Sequence, residues 1–203
     1  MKPVESLKEF FTHLLIVTVG ILIALSLEGL LEWHRHRELA LEARTNIISE
    51  IRANEKDLDG LLKAVPEIRK NQMAVLAFVQ DMLTHGKSAA PTPQLSFRLA
   101  ELSNTSWTTS QTVGALAFMP YAEVKSFAAV YQLQDEYLRL QVRAEDSVVT
   151  ALALFSVSKD LSSLSPAELD VEKERILTSI SALTAESQIG EFLKKTYAEI
   201  PNP

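Results

Sequence analysis

The sequence predicts an all-α protein in which an N-terminal transmembrane helix continues into a long helix and a bundle of about four to six helices. Three observations carry this reading. An uncharged apolar stretch near the N-terminus is long enough to cross a bilayer, the remainder repeats apolar residues in steps of three and four, and no window alternates with period two. Composition agrees: six glycines and eight prolines in 203 residues leave long runs rich in the strong helix formers Ala, Leu, Glu and Lys. With 47% hydrophobic and 23% charged residues the chain can fill a core. Its net charge of −6 offers no basic surplus for phosphates, which argues against nucleic acid as a partner. The absence of cysteine excludes disulfides, thiolate metal sites and cysteine nucleophiles.

Residues 1–8 form a short tail. Phe10–Leu27 then reads FFTHLLIVTVGILIALSL, eighteen residues without a full charge. At about 1.5 Å per residue that covers roughly 27 Å, close to the hydrocarbon thickness of a bilayer, so a membrane helix is predicted over residues 9–32. Trp33, Arg35 and Arg37 follow as an interfacial anchor, the indole at headgroup level and the cations near lipid phosphates. A cleaved signal sequence is the rival reading, with Lys2 and Lys8 ahead of the apolar core and Ala24-Leu25-Ser26 as a cleavage site. The length of the stretch, Glu5 and Glu9 before it, and unbroken helical sequence past Ser26 favour a retained anchor. Lys2, Lys8 and the α-amino group balance Arg35, Arg37 and Arg44, so charge does not set orientation. The short leading tail favours an extracytoplasmic domain. Gly20, Ala24 and Glu28 share one helix face, where small residues let two membrane helices approach and a carboxylate prefers a partner to acyl chains.

Residues 33–84 are predicted as one long amphipathic helix, kinked near Pro66 or giving way there to a second helix. Its seam is Ile47, Ile51, Asn54, Leu58, Leu61, Val65, Ile68, Gln72, Val75, Val79 and Met82. In a coiled coil between chains, Asn54 and Gln72 fix register; in a monomeric bundle, the stripe faces the rest of its own core. Three further helical segments that need a surface to pack on favour the second reading. Residues 85–93, with Gly86, Pro91 and Pro93, form a linker, and residues 94–203 supply the remainder of the bundle. Within it, Gln94–Ser103 is predicted as a short amphipathic helix. A long helix opens at Met119-Pro120-Tyr121 and carries an apolar face of Val124, Phe127, Ala128, Tyr131, Leu138, Val142, Val149, Leu152 and Phe155. Ser165-Pro166-Ala167-Glu168 is a capping box that starts a last helix running to about Ala198. Val148–Val157 is apolar but too short for a second membrane pass, so it belongs to the core.

Catalytic patterns are absent: there is no H-E-x-x-H, G-x-S-x-G or Gly-rich dinucleotide loop, and Gly86-Lys87-Ser88 lacks the preceding Gly and strand of a phosphate loop. His34 and His36, two apart, point to different sides of a helix and do not chelate one metal. No enzyme activity, cofactor or metal is therefore expected. A ligand pocket is the one small-molecule feature the sequence offers, from Trp107 among hydroxyl residues with Gln111 and Tyr131. The competing reading has Trp107 plugging the core where short helices meet.

The block Leu15-Ile-Val-Thr-Val-Gly-Ile-Leu-Ile-Ala-Leu25, the following Trp33 with its basic residues, and Glu50-Ile-Arg-Ala-Asn54 resemble bacterial single-pass membrane-anchored helical proteins that form a family of unknown function. Ser106-Trp107 and Val130-Tyr131-Gln132-Leu-Gln134 are similar to later segments of such proteins. The resemblance implies a bacterial inner-membrane location and no particular activity. The expected function is thus a non-enzymatic membrane-anchored interaction protein, a scaffold or accessory subunit, whose partners are the lipid bilayer and a membrane protein or a second copy of the chain. The alternative is a ligand-sensing bundle with its pocket near Trp107.

Overall fold

The computed structural model describes residues 7–86, 97–157 and 164–201. These form helices α1 (Leu7–His85), α2 (Thr105–Thr112), α3 (Tyr121–Val157) and α4 (Pro166–Glu199), with a 3-10 turn at Ala115–Phe118 and no strand among the described residues.

The three long helices pack as a bundle. Arg44 with Glu123, Glu50 with Tyr131 and Asn54 with Gln134 pair in rising order on both helices, so α1 and α3 run parallel. Helix α4 returns antiparallel to both, since Asp59 and Arg69 meet Lys194 and Thr184, while Gln134 and Tyr137 meet Tyr197 and Glu186. Each helix buries a seam in steps of three and four, the spacing by which side chains of one helix enter the gaps of its neighbour. On α4 it runs Leu169, Glu172, Ile176, Ser179, Leu183, Glu186, Gly190, Leu193 and Tyr197. On α1 every seam position named above is buried except Val65, which is half-buried; α1 packs most closely on α4 of the same chain and meets α3 through side chains such as Glu50 with Tyr131 and Asn54 with Gln134. Gly190 is the point of closest approach: a Cβ there would lie 3.1 Å from both Leu62 Cδ2 and Tyr137 Cε2.

Helix α1 is continuous through Pro66, so no second helix begins there. The ring removes one donor and frees only the Leu62 carbonyl, and Pro66 itself is exposed, where water can satisfy what is lost. The helix ends at Gly86, whose φ of +69° and N–H bond to the Met82 carbonyl (2.9 Å) make a left-handed cap. The rest of the predicted linker lies outside the described residues.

Two expectations are corrected. The predicted helix at Gln94–Ser103 is not one: residues 97–104 are non-helical, and 94–96 lie outside the described residues. The predicted apolar face of α3 holds at Phe127 and Tyr131 but is rotated further along the helix, because Val142 and Val149 are 54% and 52% exposed while Val130, Gln134, Tyr137, Gln141, Ala144, Val148 and Ala151 are buried. Ala128 is exposed too, and the side chains of Leu152 and Phe155 lie outside the described residues. Both corrections share a cause. The non-helical segment lies along α1 and α3, and its buried backbone needs hydrogen-bond partners that helices cannot give from their own backbones. Gln141 supplies both of its amide groups to Ala100, accepting from the N–H (2.9 Å) and donating to the carbonyl (3.0 Å). Asn54 does the same for Ser103 (2.9 and 2.7 Å), Gln134 donates to the Ser103 carbonyl (2.9 Å), and Asp57 accepts from the Glu101 N–H (2.6 Å). Glutamines therefore belong to the buried face of α3.

The last helix matches the sequence reading closely. Ser165 accepts from the Glu168 N–H (3.3 Å), Glu168 accepts from the Ser165 N–H (2.8 Å), and Pro166 takes the first turn.

Candidate functional site

The first part of α1 stands clear of the bundle. It is the one described helix long and apolar enough to cross a membrane, and its apolar window is 0% buried. A core helix of a globule would bury that window. Gly20, Ala24 and Glu28 are all exposed, and a Cβ on Gly20 would meet nothing within 4 Å. The predicted pairing face is therefore open.

Where α1 leaves this stretch, the start of the domain folds around it. After α2 the chain turns at Gly114, whose φ of +74° only glycine adopts without strain. The 3-10 turn then lays Phe118 flat on His36, with ring centroids 3.8 Å apart and planes 10° from parallel. The next residue, Arg37, sits over the indole of Trp33 at 5.4 Å, a cation–π contact. About two turns later Arg44 pairs with Glu123 at the start of α3 (2.5 Å). Between these fixed points lies a cleft of about 350 Å³, with Trp33, Leu41, Phe118, Met119 and Pro120 as its apolar wall and His36, Arg37, Arg44 and Glu123 as its polar one. Of the predicted anchor, Trp33 and Arg37 line this cleft; Arg35 is exposed and does not.

The sequence offered no spacing that joins residues 33–44 to residues 118–123. The available signal was compositional: Val113, Phe118 and Tyr121 are large side chains that fit no helical seam, and all three are exposed.

Above the cleft Trp107 stacks on Tyr131, with centroids 5.3 Å apart and planes at 16°. The Tyr131 hydroxyl donates to Glu50 Oε1 (2.6 Å), while Glu50 Oε2 accepts from Ser103 Oγ and the Ser106 N–H (both 2.8 Å). A carboxylate from α1 thereby caps the N-terminus of α2, where its charge complements the helix dipole. Burial first, and then the Glu50 carboxylate, hold the Tyr131 hydroxyl well above the usual phenol range. Of the residues of the predicted pocket, Trp107 and Tyr131 come together, while Gln111 is exposed. Neither the cleft at Trp33 nor the open grooves of about 690 and 430 Å³ between α3 and α4 are lined by Trp107.

Deeper in the bundle Tyr137 and Glu186 meet. The one hydroxyl proton of Tyr137 faces two acceptors, Gln141 Oε1 and Glu186 Oε1, both at 3.1 Å. Burial pushes the Glu186 carboxyl up from 4.5 to about 6, opposed by the Tyr137 bond. A protonated Glu186 resolves the shortage by donating to the tyrosine. Because the folded carboxyl holds its proton more tightly than the unfolded one, its contribution is fully present below pH 4.5 and is lost as pH rises through about 6. Burial raises Glu172 in the same direction. The full chain should therefore be more stable at pH 5 than at pH 7, and Glu186→Gln should raise stability at pH 7 by up to about 2 kcal/mol while flattening this dependence. Urea unfolding of the detergent-solubilised protein at both pH values checks this; an unchanged pH profile in the variant would remove Glu186 as the cause.

Two further buried groups are underserved: neither amide atom of Gln72 has a partner, and Glu172 Oε1 has none. Among the described residues no group of three or more His, Cys, Asp or Glu could hold a metal ion. No known protein family, curated protein or solved structure matches the chain.

Proposed function

We propose that the chain is a non-enzymatic, membrane-anchored helical interaction protein, a scaffold or accessory subunit of a membrane assembly. The observation that carries this reading is the unbroken α1, whose exposed apolar stretch runs directly into the seam that organises the bundle. No flexible linker separates anchor from domain, so the bundle is held at a fixed height and rotation relative to the membrane segment. Confinement to a surface raises the effective concentration of such a domain near its partners, and modest contacts then suffice. The open face of Gly20, Ala24 and Glu28 is the surface through which we expect α1 to pair, with a membrane protein or a second copy. The sequence resemblance favours the bacterial inner membrane. The ligand-sensing alternative draws less support, because the Trp107 face nearest Tyr131 is already taken by that ring.

Cross-linking in intact membranes, followed by mass spectrometry, tests the proposal. The expected result is a defined linked species at Gly20–Glu28, made with either a foreign protein or a second copy, that Gly20→Leu with Ala24→Leu weakens at least about fivefold. Association unchanged by the double substitution would sink the pairing face.

A further inference from the structure

We propose that the base of the bundle is a seat for an anionic phospholipid headgroup, with Arg37 as the cation that receives its phosphate and Trp33 and Phe118 as the surface against the glycerol and upper acyl chain. The inference rests on the reading that residues 9–32 cross the bilayer, and it goes further by giving the domain itself a lipid contact.

Height is the first argument. His36 lies four residues past Glu32, about 6 Å along the helix axis. Phe118 stacks on His36, so the 3-10 turn shares that height. A headgroup layer is itself about 5–7 Å deep on each side of the hydrocarbon, which places the turn within it. Exposure is the second. Leu30, Leu31 and Trp33 are exposed on α1, and so are Phe118 across the cleft and Tyr121, which is 83% exposed. Aromatic side chains are favoured at a membrane interface, and three of them stand exposed at this end of the domain.

Charge is the third argument, and it selects the lipid. Arg44 is neutralised by Glu123, and His34 is paired with Glu38 (3.2 Å). Arg37 has no carboxylate within ion-pairing distance among the described residues and is held by the indole alone. A cation–π contact fixes the guanidinium while leaving its donors free for a phosphate. One uncompensated cation in a largely apolar cleft is matched by a lipid of net negative charge better than by a zwitterionic one.

The chain has no cysteine, so single labels can be placed without other changes. Spin labels at Tyr121→Cys, at Ile21→Cys within the predicted span and at Thr84→Cys at the far end would be compared in nanodiscs of phosphatidylcholine with and without phosphatidylglycerol. Accessibility to a polar relaxant is the readout. The expected result is that Ile21 is shielded in both discs, Thr84 in neither, and Tyr121 is shielded most in the anionic disc. Arg37→Gln should cut that anionic preference about fivefold, the factor one basic residue contributes near an anionic surface. If Tyr121 is as open as Thr84 while Ile21 is shielded, the membrane anchor stands and the seat is overturned. Equal shielding in both discs, unchanged by Arg37→Gln, overturns the assignment to an anionic lipid. An open Ile21 would instead remove the membrane reading on which the proposal rests.

Discussion

Replacing Gly190 by leucine is expected to destabilise the bundle by about 3 kcal/mol or more, the upper part of the range for overpacking a well-filled core. Leu62 and Tyr137 already stand 3.1 Å from where a Cβ would begin, and Leu58 stands 3.6 Å away. Leucine adds three carbons beyond that Cβ with nowhere to put them. Tyr137 is fully buried and tied by its hydroxyl to Gln141 and Glu186, so it yields only by breaking those bonds. The expected signature is a lower urea midpoint for the full chain in detergent with helix content retained at zero denaturant. Gly190→Ala should fall much closer to the parent, since the gain of about 1 kcal/mol in helix propensity offsets part of the squeeze. A leucine variant with an unchanged midpoint would mean that α1, α3 and α4 do not meet closely at this level.

Asn54→Leu is the second large effect, an expected loss of about 2–3 kcal/mol. The amide makes three hydrogen bonds: it donates to the Ser103 carbonyl and to Gln134 Oε1, and it accepts from the Ser103 N–H. Leucine fills a similar volume but leaves the Ser103 N–H unpaired by Asn54 and its carbonyl with one bond, from Gln134. The sign of this result separates two roles for a polar residue in an apolar seam. A polar residue that only sets register between identical chains lowers stability, so leucine would strengthen the assembly. A polar residue that holds another segment's backbone is needed for stability, so leucine weakens it. Faster amide exchange at Ser103, local to that segment, should accompany the loss, and protection that stays unchanged there would contradict the tethering role.

The same residues explain how much of the architecture the sequence disclosed. The α1 seam was legible because apolar side chains occupy nearly all of its positions, and α4 announced its start through Ser165 and Glu168. The α3 seam was hidden because Gln134 and Gln141 occupy it and apolar Val142 and Val149 do not. A pattern search follows hydrophobicity, whereas burial here follows the hydrogen-bonding needs of residues 97–104. That segment misled in turn, since Leu95, Leu99 and Leu102 mimic the spacing of a short amphipathic helix. At the candidate site, Trp33, Arg35 and Arg37 stood out next to the apolar stretch. Their companions Phe118, Met119 and Pro120 did not, because a contact across some eighty residues leaves no local periodicity to read.

The unbroken α1 also makes the chain a lever. From Trp33 to His85 it extends about 80 Å at 1.5 Å per residue. A membrane segment that leans by about 20°, an ordinary tilt, carries the far end of a straight rod of that length roughly 27 Å sideways. On the membrane-anchored reading proposed above, changes in bilayer thickness or in a partner beside the anchor would be magnified into displacements at Met82 and His85, far from the lipid that caused them.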